Sequence, residues 1–280
     1  MELQVSKLGT ACGKNPYESR DLCILEQKIK KNKSFYKEEF FRLGLIKLLD
    51  TENLSKRIKT FYSNIKHDIN NPEEFKTKKL DIIDKIKRET DIDDKQLKFI
   101  EASLDDNMKK DCGKNNEETV INKNKFTKGN YKMWSWQNKN KGYTLKGFHD
   151  ATDGELVIEI KTRMKLSNIR KNEYDLYQLF GYLLLMNKTK GKIVQYFNKV
   201  SYNSDIETNN EYGIIDINKE PYCSKFNIFL EELDRFFDDV IEKPIHLKNI
   251  FEKESVIAYM DVDGLYCNIN PKYEKIINCL

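Results

Sequence analysis

The chain of 280 residues is 39% hydrophobic and 34% charged, and its 49 Lys and Arg against 45 Asp and Glu give a net charge of +4. This length can bury a substantial core, while so mild a basic balance does not by itself indicate a nucleic-acid partner. No apolar run reaches the roughly 18 residues that span a bilayer, and six scattered cysteines without a C-x-x-C pair exclude a zinc knuckle or a disulfide framework. We therefore expect an intracellular, unsecreted protein without a membrane span.

The first part of the chain is predicted to be helical. Apolar residues at helical spacing predict helices over Arg20–Lys31 and over about 37–49. The charged, periodic segment 55–110 predicts two or three amphipathic helices, with a break at the Asn-Asn-Pro sequence 70–72.

The pattern changes to strands after residue 122. Strands are predicted over 131–136 and 142–148, followed by an Asp-Gly turn at 152–155 and a β-branched apolar strand over 156–160. The turn predicts that the last of these strands folds back as a hairpin.

The remaining elements complete a mixed pattern. A buried helix is predicted over Glu173–Met186, then a strand over 192–197 and an amphipathic helix over 226–240. A turn is predicted at 263–264, and a short helix is predicted over 272–280. The order strand, hairpin, helix, strand predicts an α/β (α+β) fold with a central mixed β-sheet flanked by helices.

Three side chains around the predicted hairpin suit phosphodiester hydrolysis. Alternation along the strand 156–160 and beyond places Glu159 and Lys161 on one face and Ile160 on the other. Across the Asp-Gly turn, Asp150 is predicted to end the partner strand, the one over 142–148. Two nearby carboxylates can share a Mg²⁺, which prefers oxygen ligands, and a lysine beside them can orient or activate a water. Gln178 and Tyr182 lie four residues apart, on one face of the next helix.

Each of these features also has a simpler explanation. A Glu-x-Lys triplet occurs by chance in a chain with this many charges, and a solvated strand face is its ordinary meaning. What favours a site is the combination of an acid before the turn, apolar residues around Glu159 and a following helix with Gln178.

In this order the residues resemble a known family. The segments are 6–17 (SKLGTACGKNPY), 113–117 (GKNNE), 147–150 (GFHD), 159–161 (EIK) and 178–182 (QLFGY). Together they resemble the motifs of the lambda exonuclease, YqaJ-type viral recombinase and RecB-like group of PD-(D/E)XK nucleases. The third position of the last segment departs from some relatives, which carry a second glutamine where this chain has Phe180.

The resemblance implies a restriction-endonuclease-like core and Mg²⁺- or Mn²⁺-dependent hydrolysis of DNA. It also implies 5′-to-3′ digestion of double-stranded ends in viral or mobile-element recombination, repair or replication, often with a single-strand annealing protein as partner. In a virus the protein would act in the host cytoplasm or nucleus. Ring-shaped trimers occur among relatives, so a homo-oligomer is a further expectation.

The resemblance also assigns roles to residues. Glu117, Asp150 and Glu159 would be metal ligands, with the Ile160 carbonyl as a further ligand, and Lys161 would be the catalytic lysine. Three more residues have supporting roles. Gln178 would support catalysis, Tyr182 would contact the DNA backbone, and Ser6 the terminal phosphate.

The same resemblance divides the chain into three segments. Residues 1–110 would be a helical N-terminal part of the nuclease domain with a charged insertion, 111–240 the catalytic core, and 241–280 a C-terminal extension. The motifs offer no role for the charged segment 50–108.

Several neighbouring residues leave alternatives open. Glu118 competes with Glu117, since acidic residues near a helix start also interact with the helix dipole. His149 is expected to point away from Asp150, because neighbours on a strand face opposite sides. Trp134 and Trp136 either stack on bases or pack in the core.

Basic residues offer a second set of candidates. Lys139 and Lys141, near the predicted hairpin, can contact DNA phosphates, whereas the other lysine-rich segments suit a mixed solvated surface. The cysteine spacing lacks the clustered triplet of an iron–sulfur site, so no such cluster is expected. The alternatives to an exonuclease are a structure-specific or restriction-type endonuclease and an inactive DNA-binding protein on the same fold.

Overall fold

The computed structural model describes residues 1–48, 72–89, 94–129, 132–163, 172–197, 206–208, 213–251, 256–260, 264, 266–267 and 269–280. These residues form two compact units. The first unit comprises Met1–Gln27 and Asn115–Ile245, and the second comprises Lys28–Lys114 and His246–Leu280. Each unit is discontinuous in sequence, whereas the three predicted segments are continuous.

The first unit contains the predicted α/β core. Its strands are β1 (Glu2–Gln4), β3 (Thr127–Lys128), β4 (Trp134–Asn138), β5 (Tyr143–Gly147), β6 (Ala151–Asp153), β7 (Leu156–Arg163), β8 (Lys190–Phe197), β9 (Ile206–Thr208) and β10 (Ile215–Asp216). Its helices are α1 (Leu8–Ala11), most of α2 (Arg20–Lys31), the end of α5 (Asp94–Asn124), α6 (Glu173–Met186) and α7 (Tyr222–Glu242).

Two sheets lie in this unit. The larger sheet has the order β10-β8-β7-β6-β3, with β9 also paired to β8, and it is mixed because β7 and β8 are parallel while the other pairs are antiparallel. The smaller sheet has the order β1-β5-β4. The predicted α/β class with a central mixed sheet is confirmed.

Strand β7 is covered on both faces. Val157 packs in the core formed with α6 and α7, whereas Ile158 and Ile160 pack with Val120 and Ile121 near the end of α5. Helices on both sides of the sheet explain why β7 is an almost continuous apolar run and not a strict alternation. A charged side chain on this strand is therefore buried unless the structure leaves an opening beside it.

Helix α6 lies between the sheets and α7. Its apolar side chains are buried around most of the helix, and Phe180 packs edge-on against Phe226 of α7. The helix ends at Asn187, whose φ of 51° is a left-handed conformation that asparagine tolerates better than most residues. The predicted bounds of α6 and α2 are both confirmed.

The second unit is smaller and contains a separate sheet. Its helices are the end of α2, α3 (Lys33–Arg42), α4 (Pro72–Glu89), the start of α5, α8 (Leu247–Phe251) and α9 (Glu274–Ile277). Its strands β2 (Ile46–Leu48), β11 (Ala258–Met260) and β12 (Tyr266–Cys267) form a sheet in the order β12-β11-β2. In the described residues of both units, no helix has the length and apolar character needed to cross a membrane.

Two element predictions need correction. The helix predicted over 37–49 ends at Arg42, and Ile46–Leu48 is a strand paired with β11. The strand predicted over 142–148 is not the hairpin partner of β7, because it pairs with β1 and β4, and the short strand β6 pairs with β7 instead. Of the helices predicted within 55–110, the part over 55–71 lies outside the described residues.

Candidate active site

The charged residues of β7 lie on one face of the strand, as their alternation predicts, and this face is turned toward α6. Glu159 and Lys161 lie on the side of α6, and the Lys161 Nζ donates a hydrogen bond of 2.7 Å to Gln178 Oε1 on that helix. The same ammonium lies 2.6 Å from Glu159 Oε1. The strand and the helix therefore bring three of the predicted site residues into one contact.

Glu159 is deeply buried, with 1% of its surface exposed. Its Oε2 atom is buried and has no hydrogen-bond partner among the described residues. Burial, together with the charge of Asp150, raises the pKa of Glu159 to about 8. Leaving a buried oxygen without a partner is costly, so this atom calls for a ligand.

Asp150 precedes strand β6 and does not end the partner strand, as had been predicted, because the chain passes between the two sheets at 148–150. Its Oδ2 accepts a hydrogen bond of 2.7 Å from the Ile160 backbone N–H, which fixes the carboxylate beside β7. Burial and the nearby charge of Glu117 raise the pKa of Asp150 to about 6.

Glu117 lies on α5, half-buried, three residues before the point where that helix packs under β7. Its charge acts on both Asp150 and Tyr182. The neighbouring Glu118 is exposed, and its Oε1 lies 3.1 Å from Lys128 Nζ. Of the two adjacent acids, Glu117 is therefore the one that belongs electrostatically to the Asp150 site.

Two further side chains of α6 complete the surroundings of Lys161. Tyr182 hydrogen bonds with Gln178, and burial raises its pKa well above the ordinary value. Asp175 is fully buried, and its Oδ1 lies 3.9 Å from Lys161 Nζ. Although burial lowers the pKa of Lys161, the charges of Glu159 and Asp175 raise it above the ordinary value of a lysine.

The sequence patterns did not single out Asp175. An acidic residue in the first turn of a helix is ordinarily explained by the helix dipole. In the sequence, Asp175 is linked to the site only by its spacing from Gln178. The two residues are three apart and therefore lie on one helical face.

The donor set suits a hard divalent cation. Glu117, Asp150 and Glu159 supply only oxygen donors. Burial first, and then the charge of a neighbouring acid, raises the pKa values of Asp150 and Glu159. Within the described residues, no three acidic, His or Cys side chains form a ready-made ligand cluster. The Oε2 of Glu159 is the feature that fits a cation, since no described residue forms a hydrogen bond with this buried atom.

Lys139 and Lys141 are not brought to this site. They lie in the turn between β4 and β5, at the opposite end of β5 from Gly147, roughly 13 Å along the strand at 3.3 Å per residue. Lys141 is bound to Asp238 of α7 at 3.0 Å. Both side chains are exposed, so contact with a phosphate away from the site stays a prediction.

Ser6 is exposed in a 3₁₀ turn directly after Val5, which packs near Tyr182. A Cβ placed on Gly147 would lie 3.0 Å from Tyr182 Cε1 and 3.1 Å from Val5 Cβ, so these two side chains meet at Gly147. The N-terminal segment thus adjoins the helix that carries Gln178. Phosphate binding by Ser6 stays a prediction.

The aromatic residues near Asp150 are mainly packing residues. Trp134 and Trp136 are half-buried and pack against the core of the first unit. The Trp134 ring lies 6.3 Å from the buried His149 ring, edge to face. These contacts favour the packing interpretation of both tryptophans over base stacking.

Comparisons with known proteins give limited support. No family model matches the sequence, and a search of curated proteins found no match. Among solved structures, a protein designated SSO0001 is 14% identical, with a TM-score of 0.34, 68% of this chain covered and 86% of the other. A phage-related exonuclease from Haemophilus somnus 129PT is 12% identical, with a TM-score of 0.32, 87% of this chain covered and 96% of the other. TM-scores this low do not establish a shared fold, so we draw no conclusion from either structure.

Proposed function

We propose that this protein is a metal-dependent deoxyribonuclease that hydrolyses phosphodiester bonds, acting as an exonuclease on double-stranded DNA ends. The observation that carries the proposal is the group of Asp150, Glu159 and Lys161, in which Glu159 is buried and its Oε2 has no hydrogen-bond partner among the described residues. A buried carboxylate that contacts an ammonium and has a second carboxylate nearby is energetically unfavourable in a purely structural core.

The cation would be Mg²⁺ or Mn²⁺, held by Glu117, Asp150 and Glu159 with the Ile160 carbonyl as a further candidate ligand. When bound, it would stabilise negative charge on the phosphate and lower the pKa of a water molecule.

The chain's own residues have separable roles in this proposal. The Lys161 ammonium orients the attacking water and neutralises charge that develops as the water oxygen attacks the phosphorus. Gln178 holds that ammonium through its Oε1, and Tyr182 in turn binds Gln178. The Ile160 N–H keeps Asp150 turned toward β7. The exposed Ser6 would contact the terminal phosphate.

The sequence motifs support the more specific parts of this proposal. The resemblance to lambda exonuclease and YqaJ-type recombinases favours 5′-to-3′ polarity, a role in viral or mobile-element recombination, and a single-strand annealing protein as partner.

Digestion of linear duplex DNA, with and without a 5′-phosphate, beside a covalently closed circle tests the proposal directly. Each DNA is incubated in Mg²⁺, in Mn²⁺ and in EDTA. We expect metal-dependent loss of the linear DNA alone, faster with a 5′-phosphate. Cutting of the circle would instead identify an endonuclease, and DNA binding without cleavage in any metal would identify an inactive DNA-binding protein.

A further inference from the structure

Asp175 is a buried acid that none of the sequence motifs explains. It is fully buried in the first turn of α6, where Asn172 Nδ2 lies 3.4 Å from its Oδ2. Aspartate is almost never fully buried without a partner, because removing a carboxylate from water is energetically unfavourable. Its nearest described cation is the ammonium of Lys161, 3.9 Å from Oδ1.

Lys161 lies between two carboxylates and one amide. Glu159 Oε1 lies at 2.6 Å and Gln178 Oε1 at 2.7 Å, with Asp175 a little farther. Asp175 and Gln178 are three residues apart and therefore present their side chains to Lys161 from one face of α6. The helix thus holds the ammonium independently of Glu159.

Glu159 is required for two interactions at once if the protein binds a cation. Its carboxylate pairs with Lys161, and the proposed function also makes it a metal ligand. A carboxylate that binds a divalent cation attracts an ammonium less strongly, because the charge of the cation offsets its own. Without a second carboxylate, the largely covered ammonium would then keep, among the described residues, only the neutral Gln178 as a partner.

We propose that Asp175 is a positioning residue, which holds the Lys161 ammonium in the site while Glu159 engages a divalent cation. This inference rests on the proposed metal-dependent function. Asp175 does not touch substrate or cation; it acts through Lys161. Asp175 also favours cation binding at Glu159, because Lys161 can pair with Asp175 when Glu159 binds the cation.

The Asp175→Asn variant tests this role, because asparagine keeps the volume and can still accept the hydrogen bond from Asn172. We expect Mn²⁺ affinity, measured by calorimetry without DNA, to fall about tenfold, the usual lower range for loss of a group behind a metal ligand. We also expect kcat for DNA cleavage to fall by a similar factor while KM changes little, since the DNA contacts remain.

Asp216→Asn is the matched control. Asp216 is another buried aspartate of the first unit, and its Oδ1 accepts a hydrogen bond of 3.0 Å from the Asn218 N–H in a turn that contains none of the site residues. If buried aspartates matter here only for folding, the two variants should behave alike. We expect the Asp216 variant to keep wild-type Mn²⁺ affinity and kcat.

The outcomes separate this inference from the proposed function. Wild-type Mn²⁺ affinity and kcat in a folded Asp175→Asn variant would overturn the positioning role even if the wild-type protein is a nuclease. A wild-type protein that cleaves no DNA would overturn the proposed function, and the Mn²⁺ measurement would still decide whether Asp175 affects cation binding. If Asp175→Asn does not fold, Asn172→Ala removes the side chain that donates to the Asp175 carboxylate, and an unchanged kcat there would count against the inference.

Discussion

The ammonium of Lys161 is the group on which cleavage should depend most directly. We expect Lys161→Ala to reduce the cleavage rate by ~10²-fold or more, the range seen when a preorganised charge-stabilising group is removed. Because Lys161 is largely covered by Glu159 and Gln178, its loss should leave DNA affinity within a few-fold of wild type. Single-turnover cleavage and fluorescence anisotropy measure the two quantities.

Lys190→Ala is the control for that experiment. Lys190 is exposed at the start of β8, the strand next to β7, and makes no contact with the site residues described above. It should keep the wild-type rate. Equal rates for the Lys161 and Lys190 variants would remove Lys161 from the mechanism.

The carboxylate of Asp150 should make the stability of the metal-free protein depend on pH. Its pKa is raised from 3.8 to about 6 by burial and by Glu117, so the folded state binds a proton more tightly than the unfolded chain. Stability from this group is therefore present below about pH 4, is lost as the pH rises to about 6, and changes no further above that.

Asp150→Asn isolates this contribution, since asparagine stays neutral and can accept the hydrogen bond from the Ile160 N–H. In EDTA, the variant should gain stability relative to wild type between about pH 4 and 6, by at most about 1.4 kcal/mol per pH unit. Urea unfolding at several pH values measures the difference. A difference that is constant over this range would mean that Asp150 titrates as an ordinary surface acid.

At the residue scale, alternation along β7 was sufficient to predict which side chains share a face. Glu159 and Lys161 share a face as predicted, because side chains two residues apart on a strand point to the same side. The structure adds that this face contacts α6. Asp175 was missed, because its partner Lys161 is distant in sequence and its own position has an ordinary explanation in the helix dipole.

At the element scale, the sequence predicted long periodic helices well and failed where a helix stops. Phe40 and Leu45 are both buried, and their spacing fits a helix that continues through both residues. The apolar pattern alone therefore does not show that the helix stops between them. Gly44 was the overlooked signal, since its φ of 68° is a left-handed conformation that commonly follows the last helical residue. After Gly44, Leu48 is 62% exposed, whereas the predicted helix would have buried it on its apolar face.

The pairing of the strands was also only partly predictable. The Asp-Gly turn correctly indicated a hairpin at β7, and β6 is its partner. The sequence does not show that the chain leaves the smaller sheet at Gly147 and enters the larger one at Ala151. Such a switch depends on β1 pairing with β5 from the far end of the sequence, which no local pattern encodes.

The packing of α1 on α6 gives a prediction for Gly9. A Cβ at this position would lie 2.5 Å from Tyr174 Cβ and 2.9 Å from Tyr174 Cα, so the backbone of α6 would have to move. Gly9→Ala should therefore destabilise the protein by about 1–3 kcal/mol, the usual cost of overpacking, although alanine is the better helix former by about 1 kcal/mol.

Urea unfolding and DNA cleavage together test this packing. Tyr174 precedes Asp175 in the first turn of α6, so a shift of that turn should also slow cleavage. A Gly9→Ala variant as stable as wild type would show that α1 does not pack this tightly against α6.

At the scale of the whole molecule, the two compact units interleave in sequence. Residues 1–27 belong with 115–245, and 28–114 with 246–280. The segments expected from the sequence motifs, such as 1–110, are continuous because motifs follow one another along the chain. Only contacts between distant segments reveal the discontinuous grouping. Examples are the pairing of β1 with β5 in the first unit and of β2 with β11 in the second.

From the charge of the molecule we expect DNA binding to depend on the proposed cation. A net charge of +4 over 280 residues provides little general attraction for DNA. At the site itself, the carboxylates of Glu117, Asp150 and Asp175 outnumber the ammonium of Lys161 and repel phosphate at neutral pH when no cation is present. Affinity for a duplex end should therefore be weak in EDTA and at least tenfold higher in Mg²⁺.

The cleavage-deficient Lys161→Ala variant allows this affinity to be measured by fluorescence anisotropy in both conditions at one ionic strength. Adding Asp150→Asn to it removes a proposed ligand and one negative charge, so binding in EDTA should strengthen while the gain from Mg²⁺ shrinks. Equal affinity with and without Mg²⁺ would mean that DNA is held by a basic surface elsewhere. The turn with Lys139 and Lys141 would then be the first place to look, because both side chains are exposed at the far end of β5.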